Sequence, residues 1–270
     1  MRRFVIGDIH GCAKALRAVV DAIKPSSDDE LVFLGDYIDR GPNSRDVVDQ
    51  IIALQQSCQV IPLRGNHEIM LMAVAMRGLD STTWLQSGGQ ATVNSYGGKL
   101  SKIPAGHFEF FQGLRRHYEI PDSIFVHAGY QHDRPMVDQE EVTVFWTHLS
   151  NPPPPPHQSG KRVFVGHTPQ GSGTVLDLGH LVCVDTYCFG GGFLTAMNVE
   201  SNEVIQADRH GFLRRSPMTA LKERLRSCYV HWQALKSKWQ RSPNRCETLE
   251  ASRQEIDSTL NSPLPDRISS

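Results

Sequence analysis

No apolar run in this 270-residue chain is long enough to cross a bilayer, so a membrane-spanning segment is not expected. A surplus of charge is also missing. Lys and Arg number 28 and Asp and Glu 29, and a net charge of −1 gives no overall attraction to nucleic acid or to anionic lipid, so no nucleic-acid partner is expected. Cysteine is sparse. The six (Cys12, Cys58, Cys183, Cys188, Cys228, Cys246) have neither the density nor the C-x-x-C spacing of a disulfide scaffold or thiolate zinc site. They read as small core or surface residues in a reducing compartment. The basic start Met1-Arg2-Arg3 precedes an apolar run that Asp8 and His10 break too early for a secretory signal, so a cytoplasmic location is expected.

With 39 % hydrophobic and 21 % charged residues, the chain has material for a substantial core. Its first quarter repeats one pattern three times. Phe4–Ile6 reads as a strand that ends in Gly7-Asp8-Ile9-His10-Gly11, followed by helical spacing of Leu16, Val19, Val20 and Ile23. Leu31–Leu34 ends in Gly35-Asp36-Tyr37-Ile38-Asp39-Arg40-Gly41, with a helix from about Ser44. Val60–Leu63 ends in a turn over Arg64–Glu68, with a helix through Ile69–Met76. Strands alternating with helices predict an α/β sheet whose ligands gather beyond the carboxyl ends of the strands.

Residues 78–106, rich in Gly, Ser, Thr and Gln, read as short helices and loops lying over the sheet rather than as core. A helix is expected over 107–117, then the strand Ser123–Val126 ending in His127-Ala128-Gly129. Pro152–Pro156 should be stiff, extended and superficial. Val163–Val165 leads into Gly166-His167-Thr168, and Leu181–Val184, Phe193–Met197 and Glu203–Gln206 are expected to form a second, partly antiparallel sheet. A catalytic domain over 1–209 is thus expected, followed over 210–270 by a basic extension. That extension is expected to hold an amphipathic helix over 218–239, which packs on the catalytic domain or else docks a partner or a membrane surface, and a disordered tail.

Five strand ends present Asp8 and His10; Asp36 and Asp39; Asn66 and His67; His127; and His167. A single buried histidine is usually a satisfied core residue, but oxygen donors and imidazoles in register after five strands are not a packing pattern. Such donors without thiolate suit Mn²⁺, Fe or Zn²⁺ better than Ca²⁺. They suffice for two divalent ions, and a bridging Asp36 would hold these about 3.5–4 Å apart.

In their order, Asp8-x-His10-Gly11, Gly35-Asp36-x-x-Asp39-Arg40-Gly41, Arg64-Gly65-Asn66-His67-Glu68, His127-Ala128-Gly129 and Gly166-His167-Thr168 resemble the phosphoprotein phosphatase family of calcineurin-like metallophosphoesterases. Trp84, Gly88-Gly89 and Ser95-Tyr96-Gly97 resemble its bacterial and phage branch. The resemblance spans about residues 2–207 and implies two packed mixed β-sheets flanked by helices, an αββα sandwich. It implies that Asp8, His10 and Asp36 bind a first metal, and that Asp36, Asn66, His127 and His167 bind a second, Mn²⁺ being expected. It further implies in-line attack on phosphorus by a hydroxide shared between the ions. His67 would act as general acid, Asp39 would orient it, and Arg40 and Arg64 would grip phosphate. Glu68 reads as a supporting or capping residue.

The implied substrates are phosphorylated proteins, at serine, threonine or tyrosine. Symmetrical diadenosine tetraphosphate or another small phosphate ester is the alternative, and Glu68 and Gly166-His167-Thr168-Pro169 favour the protein substrates. One position departs from the pattern: where related bacterial enzymes carry Trp-x-Arg, this chain has Trp146-Thr147-His148. His148, Arg134, Lys161 or Arg162 could take that arginine's place, or the clamp is weaker. His132, His148, His157 and His180 otherwise read as surface or loop residues.

Overall fold

Short apolar runs buried on both faces are the mark of strands covered by other layers, and six of the ten strands among the described residues are of this kind. A computed structural model describes residues 1–214. The expected amphipathic helix over 218–239 and the tail lie outside the described residues.

The first sheet contains β1 (Arg3–Ile6), β2 (Glu30–Phe33), β3 (Gln59–Pro62), β9 (Leu194–Asn198) and β10 (Val204–Ala207) in the order β10-β9-β1-β2-β3. The second contains β4 (His117–Glu119), β5 (Ser123–Val126), β6 (Arg162–Val165), β7 (Leu176–Asp177) and β8 (Leu181–Cys183) in the order β4-β5-β6-β8-β7. Strands β1, β2 and β3 are parallel, as are β5, β6 and β8; β9, β10, β4 and β7 are antiparallel additions at the edges.

Three apolar clusters separate four layers. Val5, Val32, Leu34, Phe125, Phe164, Val182 and Met197 fill the space between the sheets. Helices α1 (Ala13–Ile23) and α2 (Ser44–Leu54) cover the outer face of the first sheet, where Leu16, Val19, Val47 and Ile51 meet Phe4, Ile6, Leu31 and Phe33. On the outer face of the second, Ile124, Val126, Val163 and Val165 pack against Val144 and Phe145 of α7 (Glu141–Trp146). The αββα sandwich is therefore present.

Several local expectations are corrected. Strands β9 and β10 join the first sheet, β9 running antiparallel to β1 with Ile6 opposite Ala196, instead of extending the second sheet. The helix expected over 107–117 stops early: α6 spans Ala105–Gln112, and His117 already pairs with Val126 as part of β4. Helix α3 (Asn66–Arg77) begins three residues before the expected Ile69, so Asn66, His67 and Glu68 occupy its first turn.

Residues 78–106 do form short helices, including α4 (Thr82–Trp84), a π-helical turn at Leu85–Gly89 and α5 (Gln90–Ser95). They are not merely an overlay, since Trp84, Thr92, Tyr96 and Ile103 are buried. Gly89 makes this possible: a Cβ there would lie 2.4 Å from the Trp84 ring. His157, expected at the surface, is buried, with its ring nitrogens at Ser159 Oγ and the Arg134 carbonyl. Pro152–Pro156 is without regular structure and half-buried to exposed. The described cysteines Cys12, Cys58, Cys183 and Cys188 are free and buried. No helix among the described residues is long and apolar enough to cross a membrane.

Candidate metal centre

Every predicted site residue follows a parallel strand, and the two sheets bring these strand ends together. The turns are tight enough that His10, Asp36, Asp39, Arg40 and His167 all have positive φ (45° to 70°). Among the described residues, five of the eight non-glycine positions with positive φ thus lie at one place, where surrounding structure must over-determine the backbone.

Glu68 supplies much of that constraint around Asp36. Fully buried in the first turn of α3, it accepts the N–H groups of Asp36 (3.0 Å), Tyr37 (2.9 Å) and Gly65 (3.0 Å). Its role is the expected capping one. Burial and the Asp36 carboxylate push its carboxyl up to about 8, against those N–H groups and His67.

Asp36 is the centre of the cluster. Its Oδ2 lies 3.5 Å from His10 Nε2 and 4.0 Å from His67 Nε2, while its Oδ1 lies 3.6 Å from His127 Nε2. Burial works to raise this carboxyl, but the positive charge that His127, His67, His10 and His167 take up on acidification outweighs it and holds it below the usual carboxylate range. Donor atoms of His10, Asp36 and His67 form one tight group, and those of Asp36, His127 and His167 a second.

The imidazoles are oriented by backbone carbonyls. His10 Nδ1 donates to the Ile38 carbonyl (2.9 Å) and His127 Nδ1 to that of Leu34 (2.9 Å), which leaves each Nε2 as a lone pair facing the cluster. Nε2 of His167 meets the Trp146 carbonyl at 3.1 Å, leaving Nδ1 for the site. Burial lowers the pKa of His10 and His127, and burial together with His127 lowers that of His167 to about 3, so all three are neutral at pH 7. His127 Nε2 is also 3.0 Å from Asn66 Oδ1. Lone pairs that face one another at such distances are the arrangement a cation satisfies, and the donor set fits two divalent ions.

Asp8 is buried and accepts the His167 N–H at 3.2 and 3.1 Å. Burial, Asp185 and Asp36 raise its carboxyl well above the usual range. Space around it is so close that a Cβ on Gly166 would stand 2.1 Å from its Oδ1. Asp8 thus adjoins the cluster, while His67 is grouped with His10 and Asp36.

His67 and Asp39 form a buried pair, Nδ1 to Oδ2 at 2.6 Å. Burial opposes the His67 imidazolium, but Asp36 and Asp39 outweigh it and raise its pKa. Two residues that the sequence did not assign to the site complete the pair: Trp84 Nε1 donates to Asp39 Oδ2 (2.8 Å) and Thr92 Oγ1 to Asp39 Oδ1 (2.6 Å). A third, Phe189, lies under the Arg40 guanidinium at 4.5 Å, edge-on to His10. A fourth is Asp185 beyond β8, buried, its carboxyl raised to about 6 by burial and Asp36 against the Tyr187 N–H.

Arg40 is exposed, with Nη1 3.1 Å from His10 Nε2. Arg64 instead donates to the Leu114 carbonyl (3.2 Å). Of the groups weighed for the missing arginine, Arg134 pairs with Glu140, Lys161 with Glu119 and Arg162 with Asp177. Only His148 reaches the site, stacked on His167 with ring centroids 4.3 Å apart. It lies exposed in a loop, as expected, with its ring against that of His167.

The profile of the calcineurin-like phosphoesterases matches residues 1–214. The symmetrical bis(5'-nucleosyl)-tetraphosphatase of Burkholderia pseudomallei (strain 668) is 41 % identical over 69 residues, 26 % of this chain and 24 % of that protein. The corresponding protein of Janthinobacterium sp. (strain Marseille) is 37 % identical over 78 residues, 28 % of this chain and 27 % of its own. These matches span only about a quarter of each relative's length.

Among solved structures, one provisionally described as a diadenosine tetraphosphatase superposes with a TM-score of 0.58 at 22 % identity, covering 76 % of this chain and 92 % of that one. A cold-active protein-tyrosine phosphatase of a psychrophile, Shewanella sp., gives 0.55 at 16 %, covering 79 % of each chain. At these identities the likeness is one of fold.

Proposed function

The chain belongs to the calcineurin-like phosphoesterases, and from that premise we propose that it is a metal-dependent phosphoprotein phosphatase. It hydrolyses phosphoserine and phosphothreonine monoesters, and phosphotyrosine as a further substrate, with two divalent ions of which Mn²⁺ is the first to test. The observation that carries the reading is Asp36, whose two oxygens face separate donor groups a few ångströms from a buried His67–Asp39 pair.

Asp8, His10 and Asp36 would hold one ion, with His67 Nε2 close by; Asp36, Asn66, His127 and His167 would hold the other. Bound there, the ions would supply Lewis-acid charge to the phosphoryl oxygens and acidify water near neutral pH. Arg40, steadied by Phe189, contributes a planar guanidinium to the non-bridging oxygens. Asp39 holds the Nδ1 proton of His67, so that Nε2–H is the proton available to a departing serine or threonine oxygen. Thr92 and Trp84 fix Asp39 in turn. The exposed mouth carries His148 where related bacterial enzymes have an arginine, which leaves fewer guanidinium contacts for phosphate.

A second reading, hydrolysis of symmetrical dinucleoside tetraphosphates, is favoured by the 41 % identity to such an enzyme over 69 residues. Glu68 and Thr168-Pro169 weigh toward the protein substrate. A side-by-side assay separates the two. Metal-replete protein is expected to turn over phosphopeptides faster than diadenosine tetraphosphate, to lose p-nitrophenyl phosphate hydrolysis on chelation, and to lose orders of magnitude in rate as His67→Asn with its metal content intact. Cleavage of the dinucleotide without turnover of phosphopeptides would reverse the assignment. Loss of metal from His67→Asn would make His67 a ligand instead of an acid.

A further inference from the structure

A cavity of about 310 Å³ adjoins Arg40 and contains none of the predicted metal ligands. Its wall includes Lys14, Arg40, Asn43, Phe189, Arg209 and His210, and among the described residues no carboxylate lines it. In a chain where acidic residues slightly outnumber basic ones, a concave wall with three Lys or Arg side chains and no acid is not what average composition supplies. Among the described residues, none of Lys14, Arg40 and Arg209 enters an ion pair.

Helix α1 begins at the same wall, through Ala13 and Lys14. No side chain caps it and no acidic residue stands in its first turn, so its N–H groups and the positive end of its dipole add to the cationic field. Each cation taken singly reads as a solvated surface charge. Their convergence on a cavity whose wall includes Arg40 and its supporting ring Phe189 is what that reading leaves unexplained.

We propose that this cavity is a second anion subsite, which receives another phosphate of the same substrate while Arg40 and the metal centre hold the one being hydrolysed. The proposal rests on the phosphoester-hydrolase reading above. It names a ligand chemistry, a second phosphate within reach of the first, that two sources can supply: a neighbouring phosphorylated residue of a peptide, or the next phosphates of a dinucleoside polyphosphate. Arg40 is shared by the two subsites. Lys14, Arg209 and His210 serve only the second.

The test is steady-state turnover by the full chain with Mn²⁺ on p-nitrophenyl phosphate, a singly phosphorylated peptide, the same peptide with a second phosphoresidue, and diadenosine tetraphosphate. The wild type is compared with a double variant, Lys14→Gln plus Arg209→Gln. Both side chains are exposed, so folding is not at stake. A control variant, Arg17→Gln, removes another exposed charge one turn further along α1, away from the cavity.

The double variant is expected to raise KM about tenfold for whichever multiply phosphorylated substrate the wild type uses, the source being identified by which one that is. It should stay within about twofold of the wild type on the two singly phosphorylated substrates. Arg17→Gln should match the wild type on all four. An equal loss on all substrates, no loss on any, or the same loss in Arg17→Gln overturns the subsite. Wild-type hydrolysis of p-nitrophenyl phosphate with neither multiply phosphorylated substrate used overturns the subsite alone. No hydrolysis of p-nitrophenyl phosphate overturns the underlying hydrolase reading and the subsite with it.

Discussion

Asp39→Asn asks whether the buried pair behind the metal centre acts through proton transfer. The Asp39 carboxylate accepts from three donors: His67 Nδ1 at 2.6 Å and Trp84 Nε1 at 2.8 Å on one oxygen, Thr92 Oγ1 at 2.6 Å on the other. Asparagine is nearly isosteric but offers one acceptor oxygen. Turned toward His67 and Trp84, that oxygen keeps both bonds as neutral ones. The amide N–H₂ then faces Thr92 Oγ1, which already accepts the Asp39 backbone N–H (2.8 Å) and lies 3.0 Å from Ser44 Oγ, so it has room to reverse its role.

The fold should therefore survive, and what is lost is the charge assisting the His67 imidazolium. A hydrogen bond to a charged group contributes about 1.5–3 kcal/mol, which at about 1.4 kcal/mol per tenfold is a fall in kcat of roughly ten- to a hundredfold. The assay is a leaving-group series. With phenyl phosphate, whose oxygen needs a proton as it departs, the full loss is expected. With 2,4-dinitrophenyl phosphate, whose oxygen leaves unaided, it should shrink to a few-fold. A loss of the same size on both would refute the proton-transfer role and assign Asp39 to holding the metal cluster together.

The other predictions concern the packing around the site and the starts of β1 and β2 in the first sheet. Gly166→Ala places a Cβ 2.1 Å from Asp8 Oδ1, closer than any real contact, so Asp8 must move; bound metal, read by elemental analysis, should fall with far-ultraviolet circular dichroism unchanged, and full metal content would remove Asp8 from the ligand set. Asp29 accepts from Arg2 (2.6 Å) and from Ser26 (2.9 and 3.0 Å), and its side-chain bond to Arg2 holds its carboxyl below the usual range. A folded-state pKa below the unfolded value means stability present above about pH 4 and lost as pH falls toward the folded value. The gap in denaturation midpoint between wild type and Asp29→Asn should accordingly be constant from about pH 5 to 7 and narrow below about pH 4, and an equal gap at pH 3 and pH 6 would exclude the charge as its origin.

What was legible in the sequence follows from how local each feature is. An apolar run that stops at a glycine-bearing turn with an acid, amide or imidazole marks a buried strand and what it delivers, so β1, β2, β3, β5 and β6, with His10, Asp36, Asn66, His127 and His167 beyond them, could be placed from a few residues each. Strands β9 and β10 could not be. Their identity as strands is local, but whether Ala196 lies opposite Ile6 or on the other sheet depends on partners some 190 residues away. The region 107–117 misled because Phe108, Phe110, Phe111 and Leu114 keep helical spacing across the turn at Gly113 where the helix ends, after which His117 is claimed by Val126. Residues 78–106 look like loop by composition, yet Trp84 and Thr92 are drawn inside by a carboxylate more than forty residues upstream. No local pattern encodes that.

The charges in the interior connect that packing to the chemistry. Asp8, Asp36 and Asp185 are buried and lie close enough to alter one another's ionisation, and Arg40 is the positive side chain whose field reaches both Asp8 and Asp185. The neighbouring His10, His127 and His167 contribute lone pairs in place of charge, because burial keeps them neutral and carbonyls fix the tautomers of His10 and His127. Such a cluster is stable only if protons or cations neutralise it. Protons would have to be shared by Asp8 and Asp185, the two of these three carboxyls whose pKa rises, while Asp36 at the centre stays ionised with each oxygen toward a different set of nitrogen donors. Divalent cations reverse the sign of the local field and let all three ionise at once. The arrangement that is costly as bare protein is thus the one that binds metal most tightly, and metal-free protein should be measurably less stable than metal-replete protein.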